Sequence, residues 1–340
     1  MTKNNLAIIV LNWNGADDAL ECINSLAQQT LEPAIIIVDN HSHDDSVMRF
    51  KQYQTEHPSV DCIIIANNKN LGFAGGINTG LVYARKQGFE YIGVLNPDAV
   101  ADKNWCRALV DELSSQPKCG IATGILQRRD GKTLDTTGDF YTTWGLPGPR
   151  NRDEPIENAP SKPGEVFGAT GGGAIYRAAM FDDIDMFDED FFMYYEDVDL
   201  SFRAQLAGWK VRFTPKAIAY HKVGASSKKV PGLAVYNTFK NLPLVFIKNV
   251  PGKLFWYIGL RFFLTYWLIF ASAVRHGNGW PAFKGILASI IRKPAAAYHK
   301  RWSIQKNRKV SIDYIRSIIH EGPLPNQTGL LKFRKFFTGK

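Results

Sequence analysis

The sequence predicts an α/β domain built on a mainly parallel central sheet, followed by a basic, aromatic-rich helical region that associates with a membrane. Three observations predict it. Short apolar runs alternate with amphipathic stretches in the first half of the chain. Each apolar run stops at small polar residues. Beyond about residue 228 the acids nearly vanish and aromatics crowd together. The expected division is therefore 1–228 for the α/β domain and 229–340 for the membrane-associating region.

Residues 6–11, 34–38, 62–66 and 91–95 are short, rich in β-branched side chains and apolar throughout, as strands buried on both faces should be. Residues 17–29, 44–53, 74–87 and 102–114 carry helix-like patterns between and after them. Strand, helix, strand at this spacing means βαβ units and a parallel sheet. Residues 120–126 supply a further strand. Residues 127–165 are rich in Gly, Pro, Asp and Arg and read as an irregular loop or hairpin region, a kind of segment that is often functional. The acidic run 181–190 reads as a loop. Residues 197–207 read as a helix, with Val198, Phe202 and Leu206 on one face and Gly208 as its stop. Residues 211–213 and 217–220 add two short strands.

The chain has 340 residues, 41 Lys+Arg and 32 Asp+Glu, a net charge of +9. That sum hides a split: residues 1–199 hold 16 basic and 30 acidic residues (16 − 30 = −14), and residues 200–340 hold 25 and 2 (25 − 2 = +23). The split points to a basic half that meets a polyanion, either nucleic acid or an anionic membrane surface. Residues 254–274 carry a single charge, Arg261, and are long enough to span a bilayer. However, Lys253, Tyr257, Arg261, Thr265, Ser272 and His276 form one narrow polar stripe. Basic residues also flank both ends, with Lys240, Lys248 and Lys253 before and Arg275, Lys284, Arg292 and Lys293 after. The positive-inside rule then sets no orientation, and an interfacial or shallow re-entrant helix is expected. So long an apolar run argues against a nucleic-acid partner. Cys22, Cys62, Cys106 and Cys119 are scattered without a CxxC pair and read as buried, reduced thiols. Residues 6–11 are too short for a signal-peptide core, so none is expected.

In open parallel sheets ligands bind at the carboxyl ends of the strands. Asn12, Trp13 and Asn14 follow the first strand, Asp39 and Asn40 the second, Asn67, Asn68, Asn70 and Gly72 the third, and Asn96 and Asp98 the fourth. Any one of these groups could be ordinary turn chemistry; four consecutive strand ends of this kind read as a site. Asp39 can hold a base or ribose, or cap the helix after it. The run from Asn70 to Gly76, with Gly72 and Gly75, is not GxGxxG and serves either a ligand or close helix–sheet packing. Asp98, aimed by Pro97, is a candidate ligand for a divalent cation bridging diphosphate oxygens, with His221 as a second ligand; helix capping is the alternative for Asp98. Glu196 and Asp197 open a helix whose dipole favours their ionised form, which suits a base that deprotonates an alcohol. First-turn acid preference is the plainer reading. Asp199 and Arg203 read as an ordinary i,i+4 ion pair.

Five motifs occur in a fixed order: Leu11-Asn12-Trp13-Asn14, Val38-Asp39-Asn40, Asn70-Leu71-Gly72-Phe73-Ala74-Gly75-Gly76, Leu95-Asn96-Pro97-Asp98, and the run from Phe187 through Glu196-Asp197 to Leu200. Over about residues 5–225 the chain thereby resembles family 2 glycosyltransferases of the GT-A fold, in the rhamnosyltransferase-like branch of bacterial surface polysaccharide synthesis. The resemblance implies inverting transfer from a nucleotide-diphosphate sugar, dTDP-rhamnose being a candidate donor. It also implies a polyprenyl-diphosphate-linked or saccharide acceptor, Mg2+ or Mn2+ as cofactor, and a place on the cytoplasmic face of the inner membrane. Asp98 matches the last carboxylate of the family's DxD-type motif, and Asp197, beside Glu196, matches the catalytic base of its ED motif. His221 matches a histidine that contacts metal or diphosphate, and Asp39 the acid that holds the nucleoside. Asn12, Asn14, Asn40, Asn70, Gly72, Gly75 and Asn96 fall in the donor-side motifs. The chain departs from the pattern at Asn96-Pro97-Asp98, which has one carboxylate rather than two. It departs again at Asp185-Met186, where relatives often have a glycine. A sugar nucleotidyltransferase shares the alternating architecture but would want a Gly-rich basic loop where this chain has Asn12-Trp13-Asn14-Gly15. A nucleic-acid-binding protein using the basic half is the other alternative.

Overall fold

The computed structural model describes residues 5–222, 230–292 and 294–322. Its first third runs β1 (Leu6–Asn12), α1 (Ala16–Ala27), β2 (Ala34–Asp39), α2 (Ser46–Glu56), β3 (Cys62–Ala66), α3 (Gly72–Lys86) and β4 (Tyr91–Leu95). The strands pair in parallel in the order β3-β2-β1-β4. Their apolar runs have a direct cause, since both faces of the sheet are covered. Ile8 and Val10 pack into a core with Ile23, Leu26 and Trp105 on one side, while Ala7 and Ile9 pack with Ile77 and Leu81 on the other.

The chain continues through β5 (Ala99–Ala101), α4 (Trp105–Ser114), β6 (Cys119–Arg128), β7 (Leu134–Thr136), β8 (Asp139–Tyr141), β9 (Pro147–Pro149), β10 (Gly164–Val166), β11 (Gly173–Arg177), α5 (Met180–Ile184), α6 (Glu196–Leu206) and β12 (Lys210–His221). The full sheet order is β10-β12-β6-β11-β4-β1-β2-β3, with β5 added to β12 and β7 to β6. β11 runs antiparallel to both of its neighbours. The sheet is mixed and mostly parallel.

Residues 127–165, read as an irregular loop or hairpin region, hold the β8–β9 hairpin together with β7 and β10. Two expectations change. The acidic run 181–190 contains α5 and a 3-10 turn, because Met180, Phe181 and Ile184 are buried and anchor a helical turn that the acids conceal in the pattern. The two strands expected at 211–213 and 217–220 are one, β12, whose register against β6 breaks between Phe213 and Ile218. Pro215 lies in that break and has no N–H to donate to a ladder.

Beyond the expected boundary at 228 and 229, which lies outside the described residues, come α7 (Leu233–Asn249), α8 (Gly252–Arg275), α9 (Gly279–Arg292), α10 (Pro294–Lys306) and α11 (Ile312–Ile318). Val198, Phe202 and Leu206 of α6 share one core with Phe239, Leu242 and Phe246 of α7 and with Tyr141 and Leu146 of the hairpin. Pro243 inside α7 cannot donate to the carbonyl of Phe239, and the Tyr266 hydroxyl of α8 donates to that oxygen instead, at 2.7 Å. The helix α8 is long and apolar enough to cross a membrane by length and composition. It buries Leu254, Ile258, Phe262 and Tyr266 along one face and leaves Trp256 and Leu260 about four-fifths exposed, at 80% and 78%. Thr265, expected in the polar stripe, is buried and donates to the Arg261 carbonyl at 2.8 Å. The flanking Lys293 lies outside the described residues. All four cysteines are buried and free.

The charge split is also reinterpreted. Part of it is satisfied inside the molecule: Lys248 binds Asp188 and Asp199, Lys300 binds Asp188 and Asp190, Lys309 binds Asp183, and Lys222 binds Asp18. Part of the basic half is thus paired with acids of the first half, and the whole chain keeps its net charge of +9.

Candidate active site

The carboxyl ends of the parallel strands are level, since Asn12 pairs with Asp39 and Asp39 with Ala66. Asn12 donates to Asp39 Oδ1 at 2.9 Å. Ser42 donates to the same carboxylate from its N–H, at 2.9 Å, and from its hydroxyl, at 2.6 Å. Asp39 therefore does not cap α2. Asn14, at a positive φ of 52°, donates its N–H to the Ser42 hydroxyl and accepts from the His43 N–H at 2.7 Å. Asn12 Oδ1 is buried and has no hydrogen-bond partner among the described residues.

Asn40 shapes the turn into α3. It donates to Asn70 Oδ1 at 3.0 Å and to the Gly72 carbonyl at 2.9 Å, and it accepts from Asn67 and from the Leu71 N–H. The glycine run divides its work. A Cβ at Gly76 would meet Leu11 of β1 at 2.4 Å, so that glycine serves helix–sheet packing. Gly72, at a φ of +72°, faces the other way, where a Cβ would meet the Phe192 carbonyl at 2.4 Å. Gly75 packs against Leu71 and Glu189.

At the mouth of β4, the antiparallel pairing of β5 with β12 sets His221 opposite Ala99 and so beside Asp98. His221 Nε2 lies 3.0 Å from Asp98 Oδ1 and 3.3 Å from Asn96 Nδ2. Its Nδ1 lies 2.9 Å from Asp135 Oδ2 on β7, and Arg152 lies 2.8 Å from the other Asp135 oxygen. Burial alone would lower the His221 pKa, but the two carboxylates outweigh it and raise it to about 9. Both carboxylates face the His221 ring and favour its protonated form. Asp135 lies inside the segment read as an irregular region; its only signal in sequence was the length of that segment.

The third group surrounds Asp197. Its Oδ2 accepts from the Gly171 N–H and its Oδ1 from the Val198 N–H, both at 2.8 Å. Burial raises its pKa against the pull of those donors. Glu196 is buried, its Oε2 has no hydrogen-bond partner among the described residues, and burial and the neighbouring Asp197 charge push it well above the usual range. Asp139 on β8, which sequence reasoning missed, is a third buried acid, raised by burial and then by Asp197. Asp199 is no ordinary surface pair. It is fully buried and bound by Arg203 at 2.8 Å, Lys248 at 2.7 Å and Asn249 at 2.8 Å.

One glycine pair ties the last two groups together. Gly171 donates to Asp197, and the Gly172 carbonyl accepts from the Asn96 N–H at 3.0 Å. Consecutive Cα atoms are ~3.8 Å apart, so two adjacent residues bridge the carboxylate of Asp197 to the strand end carrying Asn96 and Asp98. Among the described residues no group of three His, Cys, Asp or Glu side chains is placed to hold a metal ion by itself. The arrangement sets the Asp197 carboxylate near a strand mouth lined by one carboxylate and one histidine.

Residues 7–185 match the family model described as Glycosyl transferase family 2. The chain is 24% identical over 249 residues, 66% of its length and 78% of the relative's, to the N-acetylglucosaminyl-diphospho-decaprenol L-rhamnosyltransferase of Mycobacterium tuberculosis. Among solved structures it is similar to the mannosyltransferase PcManGT from Pyrobaculum calidifontis in complex with GDP-Man and Mn2+, at a TM-score of 0.55 and 15% identity, over 92% of this chain and 83% of that one. It is also similar to GalNAc-T7 with UDP, GalNAc and Mn2+, at a TM-score of 0.57 and 14% identity, over 72% of this chain but only 47% of that one. At these identities the structural likeness establishes the fold, the GT-A arrangement that the motifs implied.

Proposed function

Because the chain belongs to glycosyl transferase family 2, we propose that it is an inverting glycosyltransferase acting on a nucleotide-diphosphate sugar, with rhamnose as the transferred sugar and a polyprenyl-diphosphate-linked glycan as acceptor. Asp197 takes the proton of the acceptor hydroxyl. The freed oxygen bonds to the anomeric carbon from the face opposite the leaving group, the bond from that carbon to the diphosphate oxygen breaks, and the nucleoside diphosphate departs. Positioning and charge stabilisation supply most of the acceleration. Asp39, with Asn12 and Asn14, forms the floor of the place that receives the nucleoside.

The observation that carries this reading is the Asp197 carboxylate held by two main-chain N–H groups, one glycine away from the strand end that bears Asp98. Asp98 and His221 would hold Mg2+ or Mn2+ through Oδ1 and Nε2, which lie 3.0 Å apart, with His221 giving up its ring proton to do so. Asp135 behind His221 Nδ1 is the outer partner that orients a ligating histidine. When bound, such an ion supplies counter-charge to the departing diphosphate.

The lipid-linked acceptor is supported by the named activity of the M. tuberculosis relative and by α8. One face of α8 is committed to the core and the opposite face, with Trp256 and Leu260, is apolar and exposed. A helix so placed suits the membrane interface better than a span. Lys284 sits 5.1 Å over the exposed Trp280 ring and Lys306 4.8 Å over Trp302, pairing cations with indoles as anionic headgroups on a cytoplasmic membrane face would favour. The long apolar helix α8 weakens the nucleic-acid alternative.

The test is release of nucleoside diphosphate from a panel of nucleotide-sugars, with an N-acetylglucosaminyl-diphospho-polyprenol analogue as acceptor, with and without EDTA. Acceptor-dependent release from a deoxyhexose donor, abolished by chelator and restored by Mn2+, is expected. Transfer only from other donors removes rhamnose, and full activity in chelator removes the metal.

A further inference from the structure

We infer that α7 carries a positioning device for the catalytic base, in which Asn241 and Lys248 hold the loop 188–195 in its working shape. The C-terminal helices would then belong to the acceptor site as well as to the membrane contact. The inference rests on the reading of Asp197 as the base.

The loop needs outside restraint. Phe192, Tyr194 and Tyr195 all have positive φ, at 64°, 69° and 71°, in the left-handed region that residues with a Cβ rarely adopt. Tyr195 is the residue immediately before α6, so this strained backbone sets the direction in which Glu196 and Asp197 leave the loop. One side chain spans the strained segment. Asn241 Nδ2 lies 3.0 Å from the Phe191 carbonyl oxygen, 2.9 Å from that of Met193 and 2.8 Å from that of Tyr194. Lys240 adds a donor to the Phe191 oxygen at 3.0 Å.

Two turns further along α7, Lys248 is almost fully buried and joins both ends of the same unit. It binds Asp188, where the loop begins, and Asp199, two residues past the base. Lys300 of α10 adds contacts to Asp188 and Asp190 at 2.7 and 2.9 Å. Asp197 thus sits between two attachment points that belong to one helix. The hydrogen bonds of Asp39, Asn40 and Asp98 described above involve no residue of α7. The device therefore acts first on the base, and its contact with the donor side runs through the loop, where the Phe192 carbonyl accepts from the Ala74 N–H at 3.2 Å and Glu189 packs on Gly75. Loss of the Asn241 amide leaves three carbonyls without their shared donor and frees the left-handed residues to relax, which carries Asp197 away from the Gly171 N–H.

The experiment compares the full-length protein with Asn241→Ala, Asn237→Ala and Asp197→Asn. Asn237 lies one turn earlier on α7, is equally buried, and its Nδ2 has no hydrogen-bond partner among the described residues. Transfer rate at saturating substrate, nucleoside-diphosphate affinity and melting temperature are measured for each. A displacement of about 1 Å at a reacting group costs ~10²-fold, so Asn241→Ala is expected to lower kcat by about that factor while donor affinity changes less than ~3-fold. Its acidic pH limb should also move upward, because Asp197 loses a donor, whereas Asn237→Ala should keep both rate and limb. A wild-type rate in Asn241→Ala, with Asp197→Asn inactive, overturns the positioning role and leaves the glycosyltransferase reading intact. Equal loss of donor binding and turnover in Asn241→Ala also overturns it, since the residue would then hold the fold and not the loop. Transfer that persists in Asp197→Asn overturns the inference together with the assignment of the base.

Discussion

The Nδ1 of His221 lies 2.9 Å from the carboxylate of Asp135, a contact that joins β12 to β7 across 86 residues of sequence. It fixes the ring so that Nε2 faces Asp98, and so determines which nitrogen the strand mouth presents. Outer partners of this kind are worth ~10–100-fold in metal affinity or activity. Asp135→Ala should therefore raise the Mn2+ concentration needed for half-maximal transfer, with nucleoside binding in the absence of metal unchanged. A Mn2+ titration of activity checks it, and an unmoved midpoint would detach Asp135 from the site.

Asp197→Asn should lower transfer by ~10²–10⁴-fold, the usual cost of losing a general base, with donor binding nearly intact. In the wild type the rate should fall on acidification at a higher pH than the ~3.9 of a free aspartate, because burial raises the Asp197 pKa. A profile of kcat/KM against pH reads the limb directly. Near-normal turnover in the variant would transfer the role to Glu196.

Glu196 leads to a stability prediction of definite sign. Burial and the Asp197 charge hold its folded-state pKa well above the unfolded value. The folded protein keeps a proton that the unfolded chain releases, so this residue's contribution becomes less favourable as pH rises from about 4 through the folded pKa. Glu196→Gln should thus raise the melting temperature more at pH 8 than at pH 5. Thermal melts at the two values measure it, and an equal shift at both would mean that Glu196 is ionised in the folded state.

Asp188 has the opposite sign. Burial pushes it up, but Lys248 and Lys300 outweigh that and leave it below the usual carboxylate range. Its contribution is present above the unfolded pKa of ~3.9 and is lost as pH falls through the lower folded value. Acidification below pH 4 should therefore loosen the loop 188–195 from α7. Hydrogen exchange of the loop amides should rise there in the wild type and be already high at neutral pH in Asp188→Asn.

Trp256 and Leu260 are exposed and touch little of the core. Burying a large apolar side chain is worth ~1.5–3 kcal/mol, so Trp256→Ser with Leu260→Ser should weaken liposome binding by about 10-fold or more without lowering the melting temperature. Sedimentation with anionic liposomes measures the first and a thermal melt the second. A full-length protein that stays soluble and monomeric without detergent and ignores liposomes would remove the main support for a lipid-linked acceptor.

The sequence by itself determined the parallel sheet, the helices between its strands and the polar residues at the strand ends. A strand covered on both faces must be apolar throughout, and its carboxyl end is where that constraint is released, so Asn12, Asp39, Asn96 and Asp98 stood out locally. The helix start at Glu196-Asp197 was legible for the same local reason. Tertiary structure alone decided which distant groups these residues meet. Asp135 and Asp139 lay in a segment without periodicity, and Asn241 and Lys248 lay on a helix that reads as apolar and basic. Tertiary structure also decided which charges of the basic half are paired inside the molecule. A count along the chain cannot distinguish a lysine facing solvent from Lys248, which is buried against Asp188 and Asp199. Hydrophobic pattern is a property of neighbours in sequence, whereas an ion pair or a hydrogen bond is a property of neighbours in space, and only folding brings those together.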